Sequence, residues 1–260
     1  MKTVIIVPAR YASSRFPGKP LSVLTGADGK KKSLIQRSWE AAKAVEGHDV
    51  YVATDDDRIK NACADFGANV VMTSQECRNG TERCADALNN LSEVYDLVVN
   101  LQGDAPLSPA WFVADLIGYF EGGGDADMAT PVLKCSVETL ANFKADRKAG
   151  LVGGTTAVFN SNNRALYFSK EVLPYADAPN TPVYHHVGIY AYKPEALKSY
   201  LSWPESELER IEGLEQLRFL NNNAHVHCHE VEAQGREFWE VNNPEDIERV
   251  SGMLQKLGIA

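Results

Sequence analysis

Neither glycine signature for nucleotide phosphates occurs in the 260-residue sequence: there is no GxGxxG, and Gly18-Lys19 is followed by Pro20 where a P-loop needs Ser or Thr. A dinucleotide-dependent enzyme and a P-loop kinase both lose ground. The five cysteines, Cys63, Cys77, Cys84, Cys135 and Cys228, are odd in number and lack CxxC spacing, which argues against a disulfide framework or a cysteine zinc site and suits a reducing cytoplasm. No apolar stretch approaches ~18 residues and no basic segment leads into an apolar one at the start, so a soluble, unexported chain without a membrane partner is expected. Basic residues are the scarcer charge, 26 Lys and Arg against 35 Asp and Glu, for a net charge of −9. A chain that repels phosphate overall is not expected to bind nucleic acid, but a local cluster of cations can still hold a small anion.

Such a cluster follows the first apolar run. Val4-Ile5-Ile6-Val7 is short and β-branched, the pattern of a strand buried on both faces, and it is expected to stop at Pro8. The segment from Ala9 to Lys19 then carries small residues, hydroxyls such as Ser13, and cations at Arg10, Arg15 and Lys19. A solvated basic loop is the plain alternative. A loop at the carboxyl end of the first buried strand is, however, where open α/β sheets bind ligands, and a triphosphate is the commonest anion with that much charge to spread.

Strand and helix patterns then alternate. Strands are expected at 49–53, 69–72, 96–101 and 127–133, and helices from Ser33, over 58–66, after Asn79 and over 109–120. Four strand–helix units with short turns make an α/β, doubly wound, mostly parallel sheet. From about Val137 the rhythm changes to strands at 151–159, 165–169 and 186–192, then helices at 194–201 and 207–220. That is read as a small antiparallel arm at about 150–193 on a single 1–260 domain.

Several positions have two readings. Asp55-Asp56-Asp57 serves mainly to cap the following helix. Gly80, Thr81 and Arg83 open a helix and either cap it or meet a nucleotide. Asp104, behind Gly103 at the end of a buried strand, is costly to place unless paired or bound to a cation; the alternative is a turn-forming Asp. His225, His227 and His229 share a strand face and read more as an ordinary edge than as a zinc site. Asn243 with Pro244 is expected to start the last helix.

The stretches PARYASSRFPGKPL, ATDDD, VMTS, NGTER, VNLQGDAP, ALYFSK, HHVGIYAY, LERIEGLEQLR and NNPEDIERV, together and in this order, resemble the 3-deoxy-manno-octulosonate (Kdo) cytidylyltransferases over nearly the whole chain. The resemblance implies a nucleotide-diphospho-sugar transferase fold and transfer of CMP from CTP to the anomeric hydroxyl of an acidic octulosonate. It further implies pyrophosphate release with Mg²⁺, and a cytoplasmic homodimer serving lipopolysaccharide or capsule assembly. It assigns Ala9, Arg10, Ser13, Arg15, Lys19, Thr73, Ser74, Gly80, Arg83 and Gln102 to the nucleotide. Arg10, Lys19 and Asp104 would be catalytic, with Asp104 on the metal. Gln102, Tyr167, Lys170, His186, Tyr190, Glu215 and Gln216 would meet the sugar acid, and the arm would also carry the dimer contact.

Three departures stand out. Ala105 replaces the family's Glu after QGD. Asn242 occupies the place of a second metal carboxylate, so an amide oxygen would add no charge unless Glu240 substitutes from the same face. Lys170 replaces an Arg and loses its bidentate fork for a carboxylate. Together these point to a modified acceptor, such as an amino-sugar acid or another small acid, or to weakened catalysis. The alternatives are a cytidylyltransferase for a sialic-type acid or a phosphonate, and a CTP-binding regulatory subunit without turnover.

Overall fold

The computed structural model describes residues 1–13, 16–152, 154–175, 178, 181–236 and 239–260. Arg15 lies outside the described residues. The chain divides into two compact units, Met1–Ala114 with Gln234–Ala260, and Asp115–Ala233. The residues expected to form an arm all fall in the second.

The first unit opens with β1 (Thr3–Ala9), whose residues are all buried. Val4, Ile5, Ile6 and Val7 are each fully removed from solvent, worth roughly 1.5–3 kcal/mol per side chain against exposure. Then follow β2 (Val23–Thr25), β3 (Lys31–Ser33), α1 (Leu34–Lys43), β4 (Asp49–Thr54), α2 (Asp57–Asp65), β5 (Asn69–Met72), α3 (Gly80–Asn90), β6 (Leu97–Leu101) and the start of α4 (Ala110–Glu121). The β1, β4, β5 and β6 strands pair in parallel in the order β5-β4-β1-β6. The connections run outward from β1 to β4 and β5, and β6 then lies on β1's other side. The order therefore reverses between β1 and β6, which is where such sheets bind ligands.

Local chemistry explains most boundaries. Ser33 caps α1 by accepting from the Gln36 N–H, Asp56 caps α2, and Asn79 caps α3 by accepting from the Glu82 N–H. Contrary to expectation β1 runs through Pro8. Its pairing with β6 ends at Ile6, so beyond that point only β4 remains beside it and a residue without an N–H is tolerated. The antiparallel β2–β3 pair was not anticipated, its residues being too few and too polar to show a period.

In the second unit come β7 (Met128–Lys134), α5 (Val137–Lys148), β8 (Thr156–Phe159), β9 (Ala165–Ser169), β10 (Tyr184–His186), β11 (Ile189–Tyr192), α6 (Pro194–Ser202), α7 (Glu207–Glu212), α8 (Leu217–Asn221) and β12 (Val226–Glu230). Among the described residues β10 and β11 pair with β7, β10 with β8 and β8 with β9 antiparallel, while β12 pairs with β7 in parallel. The single strand expected over 186–192 is two, β10 and β11, both on β7. The break lies opposite Pro131, which has no N–H to give. The Thr130 hydroxyl takes over there, 3.2 Å from the Val187 carbonyl and 2.9 Å from that of Ile189. The helix expected over 207–220 is likewise two, parted at Gly213 in the left-handed region (φ 63°). No strand begins at Leu151; β8 starts at Thr156.

The chain returns to the first unit for α9 (Asp246–Lys256). Asn243 does not cap it. Residues 243–247 form tighter turns, and the Asp246 carboxylate instead accepts from the N–H groups of Asn242 and Asn243 and from the Trp239 indole. Val250 and Leu254 of α9 pack with Leu24, Leu34, Leu107 and Val241. The fold is thus mixed α/β with a parallel sheet and smaller antiparallel pairings. Among the described residues no helix is long and apolar enough to cross a membrane.

Candidate functional site

In the first unit one pocket is lined by Pro8, Ala9, Arg10 and Ser13 after β1, by Lys19 and Pro20, by Asn79, Gly80 and Arg83 at the start of α3, by Gln102, Gly103 and Asp104 after β6, and by Asn242. Parallel pairing puts the carboxyl ends of β1 and β6 side by side, and Gly103 lets them close. A Cβ on Gly103 would lie 2.5 Å from the Pro8 carbonyl oxygen, so no other residue fits without movement.

Two of the pocket's cations meet carboxylates. The Lys19 ammonium donates to Asp104 Oδ2 at 2.6 Å and to the Val241 carbonyl at 3.0 Å. Both charged side chains keep about a fifth to a quarter of their surface in contact with solvent, 20% and 25%. Arg10 is exposed, and its guanidinium reaches the Arg78 carbonyl at 3.3 Å. Arg83 is buried: its Nη1 donates to the Thr73 hydroxyl at 2.6 Å and stands 3.1 Å from Asp55 Oδ1. Thus Asp56 is the member of the acidic triplet that caps, while Asp55 neutralises Arg83.

Of the residues assigned to a nucleotide, Ala9, Arg10, Ser13, Lys19, Gly80, Arg83 and Gln102 line this pocket. Thr73 and Ser74 do not: Thr73 serves Arg83, and the Ser74 N–H donates to Asp86. Asn79 and Pro8 were missed. Asn79 could have been found as the cap that brings α3's N–H groups to the pocket, while nothing at the level of the sequence marks Pro8.

The donor set for a metal is sparse. Asp104 and Asn242 line the pocket, and burial together with the nearby Asp104 charge pushes the Glu240 carboxyl up to about 7, against a hydrogen bond with Asn242 that acts the other way. Among the described residues no group of three or more His, Cys, Asp or Glu could hold a metal. Magnesium takes one or two carboxylates and completes its shell with substrate phosphates and water, so the set fits Mg²⁺ shared with a phosphate ligand and not a metal caged by protein alone. The histidines of β12 are engaged otherwise, His227 stacking on Tyr119 with centroids 4.0 Å apart.

Of the residues assigned to a sugar acid, Gln102 lines the pocket of the first unit, and the others lie in the second, most of them in two groups. Tyr167 and Lys170 gather on Glu212, which accepts from the Tyr167 hydroxyl at 3.4 Å, the Ser169 hydroxyl at 2.7 Å and the Lys170 N–H at 3.0 Å. His186, Tyr190 and Gln216 form the other. The Tyr190 hydroxyl donates to Gln216 Oε1 at 3.4 Å, and His186 Nε2 lies 3.0 Å from the Thr130 hydroxyl. Burial first, and His185 second, lowers the His186 pKa to about 3, so its ring is a neutral hydrogen-bonding group and not a cation for a carboxylate. Glu215 is placed by its carbonyl, which accepts from the Tyr200 hydroxyl. Sequence reasoning missed Glu212 and the buried Glu209–Arg218 pair (2.7 Å) that braces the turn before Glu215 and Gln216.

Residues 4–230 match the family model described as "Cytidylyltransferase". The chain is 41% identical over 261 residues to a 3-deoxy-manno-octulosonate cytidylyltransferase of Maricaulis maris, covering 99% of each. It is also 41% identical over 260 residues to an 8-amino-3,8-dideoxy-manno-octulosonate cytidylyltransferase of Shewanella baltica, covering 98% of this chain and 99% of that one. Among solved structures it is similar to CMP:2-keto-3-deoxy-manno-octonic acid synthetase complexed with CTP, with a TM-score of 0.84, 33% identity, and coverage of 99% of this chain and 100% of that one.

Proposed function

Because the chain belongs to the cytidylyltransferase family, we propose that it transfers CMP from CTP to a 3-deoxy-octulosonate-type acid and releases pyrophosphate. The observation that carries this reading is the Lys19–Asp104 contact in a pocket at the switch point between β1 and β6. A cation and a carboxylate held at contact distance are what a polyphosphate and its counter-ion would each engage. The chemistry demands little else, since phosphoryl-type transfer runs on in-line placement and charge neutralisation.

In this proposal Arg10 and Lys19 neutralise the departing pyrophosphate and the N–H groups at the start of α3 approach the nucleotide. Arg83, its charge spent on Asp55, orients Thr73 and α3 and does not serve as a free cation. Gln102 positions the acceptor. Asp104, with Asn242 and Glu240, would hold Mg²⁺, which when bound supplies positive charge to the phosphates and acidity to a coordinated hydroxyl. Tyr190, Gln216 and the neutral His186 would hydrogen-bond the acid, and Lys170 would supply a single cation for its carboxylate. A cytoplasmic homodimer belongs to the same proposal on likeness to the family, and light scattering of the purified chain reads the oligomer.

Pyrophosphate release from CTP and Mg²⁺, measured with Kdo and with its 8-amino analogue in parallel, tests the reading and names the acceptor. Release with neither of these but with a sialic-type acid or a phosphonate would change the acceptor, and CTP binding without release on any acid would replace the reading by a regulatory CTP-binding role.

A further inference from the structure

The cationic loop after β1 leads into the 3₁₀ turn at Lys19–Leu21, and its two described ends are fastened to each other. The Gly18 N–H donates to the Tyr11 carbonyl at 2.9 Å, closing the loop on itself. Gly18 sits at φ 72°, and a Cβ there would come within 3.1 Å of the Tyr11 ring, so the ring lies directly against the glycine that launches Lys19. The Arg58 guanidinium carbon stands 3.3 Å from the centroid of the same ring. Arg58 is itself held flat: its Nε meets Asp56 Oδ1 at 2.9 Å and its Nη2 meets Asp56 Oδ2 at 2.6 Å. Asp56 is the cap of α2. The contacts therefore run without a gap from the start of a helix, through Asp56, Arg58 and the Tyr11 ring, to Gly18 and the backbone of Lys19.

We infer that the Asp56–Arg58–Tyr11 stack is a positioning device for the phosphate-binding loop, one that fixes the approach of Lys19 before the nucleotide arrives. The inference rests on the reading of the pocket as a CTP site and adds residues that are not among those lining it. Its physical basis is preorganisation. A loop ordered in advance does not charge its ordering entropy to the binding step, so loosening the stack weakens nucleotide affinity while leaving the acceptor's untouched. Arg58 is exposed, so its truncation leaves the core intact.

The test is a cycle of Tyr11→Ala, Arg58→Ala and the double variant, with Tyr11→Phe as the conservative change. Titration calorimetry with CTP and steady-state pyrophosphate release are measured on the whole chain. Tyr11→Ala and Arg58→Ala are each expected to raise Kd and KM for CTP about three- to tenfold, with the acceptor's KM unchanged. The double variant is expected to be no worse than Tyr11→Ala, because both remove one contact. Tyr11→Phe, which keeps the ring, should recover most of the affinity. Unchanged CTP affinity in both single variants, additive losses in the double, or an equal rise in the acceptor's KM would each overturn the inference. A parent chain that does not bind CTP at all would overturn the underlying reading as well, and calorimetry on the parent separates the two failures.

Discussion

Lys19 and Asp104, one from the loop after β1 and the other from the end of β6, neutralise each other at 2.6 Å. Each is proposed to serve a different part of the ligand, so a nucleotide bound with Mg²⁺ in the proposed way would divide the pair. Lys19→Ala and Asp104→Ala are each expected to lower turnover by about 10²–10³. Asp104→Asn separates the roles: it frees the ammonium, so CTP binding without metal should hold or tighten while pyrophosphate release collapses. Binding that fails in step with turnover would show that the carboxylate shapes the pocket and does not serve the metal.

Asn242→Asp would restore a charged oxygen beside Asp104 and Glu240. The magnesium concentration for half-maximal rate is expected to fall several-fold, roughly the effect of one added carboxylate ligand. Because burial and Asp104 already push Glu240 up to about 7, a further negative charge raises it more, so protonation of Glu240 partly offsets the added charge between about pH 7 and 8. A metal titration identical to that of the parent chain would remove Asn242 from the metal's surroundings.

Acid should unfold the protein early. Burial lowers His185 to about 4, His186 to about 3 and His227 to about 4, against an ordinary value of 6.5. Between those values the unfolded chain binds protons the folded chain refuses. Stability is therefore complete above about pH 6.5 and lost as pH falls toward 3, by roughly 1.4 kcal/mol per pH unit for each such histidine. His186→Gln keeps a hydrogen-bonding group near Thr130 and should flatten the fall of Tm from pH 6.5 to 4.5. An unaltered slope would assign the acid sensitivity elsewhere.

Asn100 on β6 is fully buried, and among the described residues neither of its amide atoms has a hydrogen-bond partner. Such a group is expensive to keep, about 1–3 kcal/mol. Asn100→Leu should raise Tm by a few degrees, near the ~2–4 °C per kcal/mol of a chain this size. A lower Tm would reveal a partner for the amide.

Several of these features were legible in the residues and several were not. The limits of β5 and β9 are as expected, since a short β-branched run (Val70, Val71) and a short aromatic one (Tyr167, Phe168), each bounded by turn residues, leave little freedom. Helix α5 was overlooked because only Leu140 and Phe143 of its twelve residues are buried, too few to draw a stripe. The division of β10 from β11 could not be read locally, because its cause, Pro131, sits on the neighbouring strand. In the pocket, Arg10, Lys19 and Asp104 announced themselves by charge at strand ends. Arg83 was legible as a pocket residue, but its sequence context offered no sign of its contact with Asp55, since that depends on β4 and α3 lying together. Glu212 gave no signal, being one acid among several on a polar helix.

The contact of Gly103 with the Pro8 carbonyl reaches beyond this molecule. Any chain whose first and fourth parallel strands converge so tightly is obliged to carry a residue without a side chain at that point. A homologue bearing alanine or serine there must have spread its strand ends apart. The identity of that single residue is thus a ruler for crevice width, readable in relatives too remote for the rest of their sequence to be aligned.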